Sequence, residues 1–348
     1  MTDTVRLEIG DFLPGFELTS QRGRPIDLID VAMGLPIVIL FFADDGAPET
    51  EQMLRGFVTL QDRLKPLFHL ISVNNAGAEA NGANRLYGAL PFPVLGDPDG
   101  AVARTYGLDS GSLAVVIADA NRRITSLERG PADGHLAERL AERFEGQSRP
   151  APREVRPAAP VLYVPGVFDE TFCQRMIALY ETGGNAPSGV FQRDYQEAGG
   201  LMKPETKIRR DHIVVDPAVN NQIGALIGKR VVPEIRKAFS FPVKHVKEFK
   251  ISCYDAEGGG YFRLHRDNRN PLGAGRRFAM TLNLNTGDYE GGYLRFPEYG
   301  PELYRPAAGE AVVFACNLLH EATPVTAGRR FVLLTFFFGP DGEGNIIE

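Results

Sequence analysis

Residues 145–160, "EGQSRPAPREVRPAAP", limit what this chain can fold into more than any other stretch. Four prolines and several charges leave one large apolar side chain, Val155. Each proline fixes φ and removes a backbone donor, so the stretch suits neither a helix interior nor a central strand. It also offers too little apolar surface to offset the entropy of ordering. No single core can run through it, and 348 residues are long for one core in any case. The sequence predicts two domains, 1–145 and 161–348, joined by a proline-rich linker over 146–160.

The halves are patterned differently. In the first, "IVILFFA" reads as a buried strand, 49–64 as an amphipathic helix and "FHLISVN" as a second strand. Paired strands follow at "LAVVIAD" and "RITSLER", with a closing helix near "HLAERLAERF". Buried strands interleaved with helices imply an α/β layer fold. The second half opens with a helix after Asp169, a side chain suited to capping it, and Gly183 is placed to end it. A further helical pattern over 220–239 contains Pro233, expected to kink it. Beyond about residue 245 come short strands separated by Gly, Pro, Asn and Asp, the grammar of a jelly roll or barrel.

The net charge of −6 argues against a nucleic-acid protein held by phosphate contacts. Three cysteines at scattered positions exclude a disulfide framework and point to a reducing, cytoplasmic setting. The longest apolar run, 35–43, is too short to cross a bilayer, so no membrane partner is expected.

The chemistry concentrates after "GGGYFRLHRDN". If 261–267 is a strand, His265 and Asp267 share one face and Arg266 points away. A His-x-Asp pair alone is more often a surface ion pair than a ligand pair. Downstream, His320 ends an apolar stretch and Arg330 opens another. Two imidazoles and a carboxylate form the facial set used for non-haem ferrous iron, with three coordination positions left open. A 2-oxo acid can fill two of them and dioxygen the third. The far carboxylate of 2-oxoglutarate then needs a fixed cation, and the planar fork of Arg330 suits it. Alternation assigns Arg329 to solvent.

On these residues the second half resembles the Fe(II)/2-oxoglutarate-dependent oxygenases, in the prolyl 4-hydroxylase branch. The resemblance spans about 160–340 and implies a double-stranded β-helix (jelly roll) with flanking helices. In it His265, Asp267 and His320 bind Fe(2+), and Arg330 binds 2-oxoglutarate. Tyr254 matches a tyrosine bordering the 2-oxoglutarate pocket. Thr281 and Asn283 stand where relatives often place another tyrosine, which alters that co-substrate contact. The implied reaction uses O2, releases succinate and CO2 and hydroxylates a C–H bond, with ascorbate as an accessory. A prolyl residue of a protein or peptide is the substrate that the likeness implies, and a small metabolite or free amino acid stays open beside it. A catalytically silent binding module is the alternative to an enzyme. Irregular residues 184–206 correspond to a substrate loop, with plain disorder as the alternative, and Lys207, Arg209 and Arg210 beyond it read as a solvated charged face ahead of a guide for an acidic partner.

The first half, over about 5–130, resembles the peroxiredoxins and implies a thioredoxin-like fold. Their chemistry needs a thiolate at the start of the helix after the "FF" strand. Thr50 stands near that position and no cysteine precedes residue 173, so the expected domain is redox-inactive. Recruiting a partner, homodimerisation and simple stabilisation of its neighbour remain open roles.

Overall fold

The computed structural model describes residues 7–31, 33–44, 46–131, 133–147, 151–152, 154, 158–189, 201–269 and 273–340. Much of the expected linker and residues 190–200 of the expected substrate loop lie outside the described residues. The chain divides into two compact units, Met1–Pro152 and Arg153–Glu348.

The first unit is built on Ile37–Phe42, in which every residue is buried. A strand apolar along its whole length must be covered on both faces. Here it is the middle of a five-stranded sheet. Its parallel neighbour is His69–Asn74, followed by Val94–Gly96, and its antiparallel neighbour is Ala114–Ala118, followed by Ile124–Arg129. Val38, Leu40 and Phe42 pack with the helices Pro48–Thr59 and Leu136–Glu145 on one face, while Ile37, Ile39 and Phe41 pack with Leu13, Leu28 and Tyr106 on the other. This is a thioredoxin-like sheet. Thr50 lies in the first turn of the helix Pro48–Thr59.

In the second unit Asp169 accepts a hydrogen bond from the Phe172 amide at 2.7 Å, capping Glu170–Thr182, and Gly183 follows its end. That helix buries Cys173, Met176 and Tyr180 against the larger sheet. The single kinked helix expected over 220–239 is two helices, Pro217–Arg230 and Val232–Phe239. Pro233 has no amide proton to give, and it sits in the first turn of the second helix, where none is needed.

Two sheets frame the unit. In the larger, Arg276–Asn283 lies between Ala311–Ala315 and the long strand Val325–Phe338. His245–Asp255 pairs with the far edge of that long strand, and Arg210–Ile213 pairs with His245–Asp255. The smaller sheet runs Lys207–Ile208, Tyr261–His265, His320–Ala322, Leu294–Arg295 and Leu303–Tyr304. Two antiparallel sheets with helices against the larger one form the expected jelly roll. No described helix is long and apolar enough to cross a membrane.

Candidate metal centre

Each sheet brings one cross-strand pair to a shared cavity of about 520 Å³. In the smaller sheet His265 and His320 are register partners, and in the larger one Tyr254 and Arg330 are. All four line the cavity together with Asp267 and Thr281.

Asp267 arrives by a different route from the one its spacing implied. The strand ends at His265, and Asp267 lies in the turn beyond it, held by its amide donating to the Cys316 carbonyl at 2.9 Å. Arg266 does turn away, pairing with Glu298 at 2.6 Å. His320 opens its own short strand rather than closing the apolar one, which ends at Ala315. The Asp267 oxygens lie 3.5 Å from Nε2 of His265 and 3.5 Å from Nε2 of His320, and one ligand atom from each residue falls within 4.8 Å of the others.

The backbone settles which imidazole nitrogens face the carboxylate. Nδ1 of His265 lies 2.7 Å from the Arg263 carbonyl, and Nδ1 of His320 lies 2.9 Å from the Leu318 carbonyl. A carbonyl only accepts, so each Nδ1 carries a proton and each Nε2 faces the Asp267 side. Burial pushes the His320 imidazole down to about 4, against the opposing pull of Asp267, so it is neutral at pH 7. Burial alone would raise the Asp267 carboxyl, but its surroundings outweigh that and hold it ionised. Two imidazoles and one carboxylate, with no other acid among the described lining residues, match the donor set of a ferrous site. Phe262 stacks on His265 with centroids 3.5 Å apart, and Phe314 meets His320 edge-on at 4.6 Å, so the rings have little freedom.

Arg330 is 1% exposed and lies within the strand Val325–Phe338 rather than at its start. Its Nη2 donates to Asn283 Oδ1 at 3.1 Å, its guanidinium lies 5.3 Å from the Tyr254 ring centre, and its buried Nε has no partner. No described carboxylate pairs with it. A buried guanidinium in that state is a seat for an incoming anion. Arg329, by contrast, faces solvent and pairs with Glu181 at 2.7 Å.

Thr281 lines the cavity, but Asn283 does not. Fully buried, Asn283 donates to the Tyr289 hydroxyl at 2.7 Å and to the Pro306 carbonyl at 3.1 Å, and so holds Arg330 from behind. Tyr254 is 3% exposed, and its hydroxyl accepts from Arg209 Nη1 at 3.0 Å.

Lys207, read from sequence with Arg209 as a solvated face, is buried in the cavity wall, and Arg209 lines the same wall with its side chain 10% exposed. Arg209 forms a two-pronged pair with Asp211 at 2.8 and 3.0 Å, and Asp211 also accepts from Ser188 at 2.6 Å and Ser252 at 2.7 Å. The alternation Lys207, Arg209, Asp211 was a readable signal that these side chains share one face.

A cavity of this shape, holding an open His-Asp-His set and a seated arginine, defines an iron-dependent oxygenase of the 2-oxo-acid-using class. Residues 249–338 match the 2OG-Fe(II) oxygenase superfamily, and residues 9–126 match the AhpC/TSA family. A PKHD-type hydroxylase of Pseudomonas fluorescens is 35% identical over 187 residues, covering 51% of this chain and 77% of that protein. One of Pseudomonas putida is 30% identical over 181 residues, covering 49% of this chain and 75% of that one. Among solved structures, peroxidoxin BcpB of Mycobacterium tuberculosis is matched over 41% of this chain and all (100%) of that one, with 19% identity and a TM-score of 0.38. The chain belongs to the PKHD-type hydroxylases of the 2OG-Fe(II) oxygenase superfamily, and it carries a peroxiredoxin-like domain ahead of the oxygenase domain.

Proposed function

We propose that His265, Asp267 and His320 hold Fe(II), that Arg330 receives the far carboxylate of 2-oxoglutarate, and that the enzyme hydroxylates a C–H bond of a prolyl residue in a protein or peptide. The observation that carries this reading is the meeting, in one cavity, of the three ligand side chains with a buried guanidinium that no described acid neutralises. When bound, iron, 2-oxoglutarate and dioxygen supply the oxidising chemistry, with succinate and CO2 released and one oxygen atom left on the substrate carbon. Ascorbate would serve to keep the iron ferrous.

The protein's own contribution is orientation and dryness. Arg330 is fixed by Asn283 and by the Tyr254 ring, so little freedom is lost when a carboxylate docks. Thr281 offers a hydroxyl beside that position. Phe262, Phe314, Leu334 and Phe336 line the cavity with apolar surface that keeps water from the reacting atoms. The first unit acts as a partner-binding or dimerising module without peroxidase chemistry, because Thr50 offers a hydroxyl where a thiolate is required. The free cysteines Cys173, Cys253 and Cys316 fit a reducing, cytoplasmic setting.

The test is anaerobic addition of Fe(II), then 2-oxoglutarate, to the full-length protein. A weak visible charge-transfer band should form with the wild type and not with His265→Ala. Oxygen should then yield succinate. Folded wild-type protein giving no band would leave a binding module in place of an enzyme.

A further inference from the structure

The charges of the cavity wall do not balance. Asp267 is the one carboxylate among its described lining residues, and it faces the two imidazoles. Most of the cations around it are already matched. Arg209 is neutralised by Asp211, Arg266 by Glu298, and Lys250 by Glu248 at 3.1 Å. Arg276 reaches Glu248 at 3.9 Å, and Arg269 faces solvent. Two buried cations remain without a described acid: Arg330, 1% exposed, and Lys207, 6% exposed.

An ammonium has three protons to donate. Lys207 gives one to Ser188 Oγ at 2.9 Å and one to the Gly189 carbonyl. Glu205, two residues away, is exposed, and Asp211 is occupied by Arg209, Ser188 and Ser252. Leaving a charge buried and unpaired is expensive, and nothing in the packing demands a lysine on this edge strand. Burial and the neighbouring Arg209 lower the Lys207 ammonium to about 7, the expected consequence of a cation waiting for its counter-charge.

The position of Lys207 separates it from the co-substrate seat. Contacts run from Arg330 to the Tyr254 ring (5.3 Å), from that ring to Arg209 (5.7 Å), from Arg209 to the Phe262 ring (5.7 Å) and from that ring to Lys207 (5.0 Å). The Phe262 ring lies against His265. Lys207 therefore sits one aromatic ring from a proposed iron ligand, at the opposite end of this run from Arg330. 2-Oxoglutarate has two carboxylates, one for the metal and one for Arg330. It has none left for Lys207.

We infer that the compound this enzyme oxidises carries a carboxylate of its own, and that Lys207 receives it. The inference rests on the function proposed above and narrows its substrate to an acid, in which the carboxylate is either the prolyl residue's own free terminus or an acidic side chain beside it.

The experiment uses the full chain loaded with Fe(II) and 2-oxoglutarate without oxygen. It is titrated with N-acetylproline against N-acetylprolinamide, and with a proline peptide flanked by Glu against the same peptide flanked by Gln. Binding is read as a shift of the visible band, and succinate is measured once oxygen is admitted. In the wild type at least one acid should bind roughly ten- to hundredfold tighter than its amide, as a charge-assisted hydrogen bond implies. Which pair responds identifies the source of the carboxylate. Lys207→Gln should erase the preference and Lys207→Arg should keep part of it. If no acid outbinds its amide, or if Lys207→Gln keeps the preference, the inference fails while the proposed function stands. Loss of the band itself in the wild type is the separate failure of that function. Lys207→Met adds a readout independent of ligand: with an unpaired buried charge removed it should melt no lower than the wild type, whereas a purely structural lysine would leave it less stable.

Discussion

Tyr254 and Arg330 face each other across adjacent antiparallel strands, and the guanidinium lies 5.3 Å from the tyrosine ring centre. This pairing explains how a fully buried arginine is kept in place without an acid. The aromatic face offsets part of its charge, Asn283 accepts from one nitrogen, and the rest of the fork is left for a ligand. Arg330→Ala should raise the 2-oxoglutarate concentration needed for half-maximal succinate formation by roughly ten- to hundredfold. Arg330→Lys should recover only part of that loss, because an ammonium cannot pair in two-pronged fashion. Unchanged 2-oxoglutarate dependence in the alanine variant would remove Arg330 from the co-substrate site.

Gly292 protects the same side chain. Its φ is +61°, and a Cβ there would stand 2.8 Å from Cδ of Arg330. Gly292→Ala therefore strains the backbone and displaces the guanidinium together. The expected result is destabilisation of about 1–3 kcal/mol, with a weakened 2-oxoglutarate band at iron concentrations that saturate the wild type. Denaturant unfolding and the band titration separate the two effects.

The three proposed iron ligands should behave as a unit. Asp267→Ala, His265→Ala and His320→Ala should each lower iron affinity by more than about a hundredfold, since even loss of a supporting contact costs ten- to hundredfold. Addition of Fe(II) should raise the melting temperature of the wild type and leave that of Asp267→Ala unchanged, because only the wild type gains a bound ligand. Iron content after dialysis and thermal melts with and without metal check both statements.

Much of this site was legible in the sequence because it obeys local periodicity. Alternation alone separates the buried Arg330 from the exposed Arg329, and the unbroken apolar run at Ile37–Phe42 marks the centre of the first sheet. Asp267 misled in its details. A strand extended to it brings His265 and Asp267 together for the wrong reason, whereas a turn tied to Cys316 does so in the fold. Lys207 and Arg209 were misread because the burial of a charge depends on distant partners. Ser188, Ser252 and Tyr254 satisfy the Arg209–Asp211 pair, and they lie 23 to 45 positions away along the chain where the hydrogen bonds form, a relation no local pattern encodes. Asn283 shares a strand face with Thr281, yet only the three-dimensional arrangement shows it behind Arg330 rather than in the cavity.

The Arg209–Asp211 pair should make the oxygenase domain sensitive to acid. Burial alone would raise the Asp211 carboxyl, but the charge of Arg209, its two donors and the hydroxyls of Ser188 and Ser252 bring it down to about 2. The unfolded chain has an aspartate near the ordinary value of about 3.9. A depressed native value contributes stability that is present above about pH 4 and is lost as the pH falls toward about 2. Asp211→Asn leaves Arg209 buried without its counter-charge and should cost about 3–5 kcal/mol at neutral pH. It should also flatten the wild-type fall in stability between pH 4 and 2. A variant retaining that slope would show that other carboxylates set it.

The peroxiredoxin-like domain should be silent toward peroxide. Peroxide reduction requires an accessible thiolate, and the three cysteines lie in the other unit, all buried. Burial pushes Cys173 up to about 12 and Cys253 up to about 11, and it raises Cys316 well above the usual thiol value, so none is a thiolate at pH 7. In the presence of an iron chelator the native wild type should consume no hydrogen peroxide above the buffer rate, and its thiols should resist alkylation until it is unfolded. Thr50→Cys puts a sulfur in the first turn of Pro48–Thr59, where the helix N-terminus favours a thiolate. That variant should gain one thiol that alkylates in the native state. Chelator-resistant peroxide turnover by the wild type would show that a cysteine from the oxygenase domain becomes exposed and reactive, and would overturn the assignment of a non-redox role.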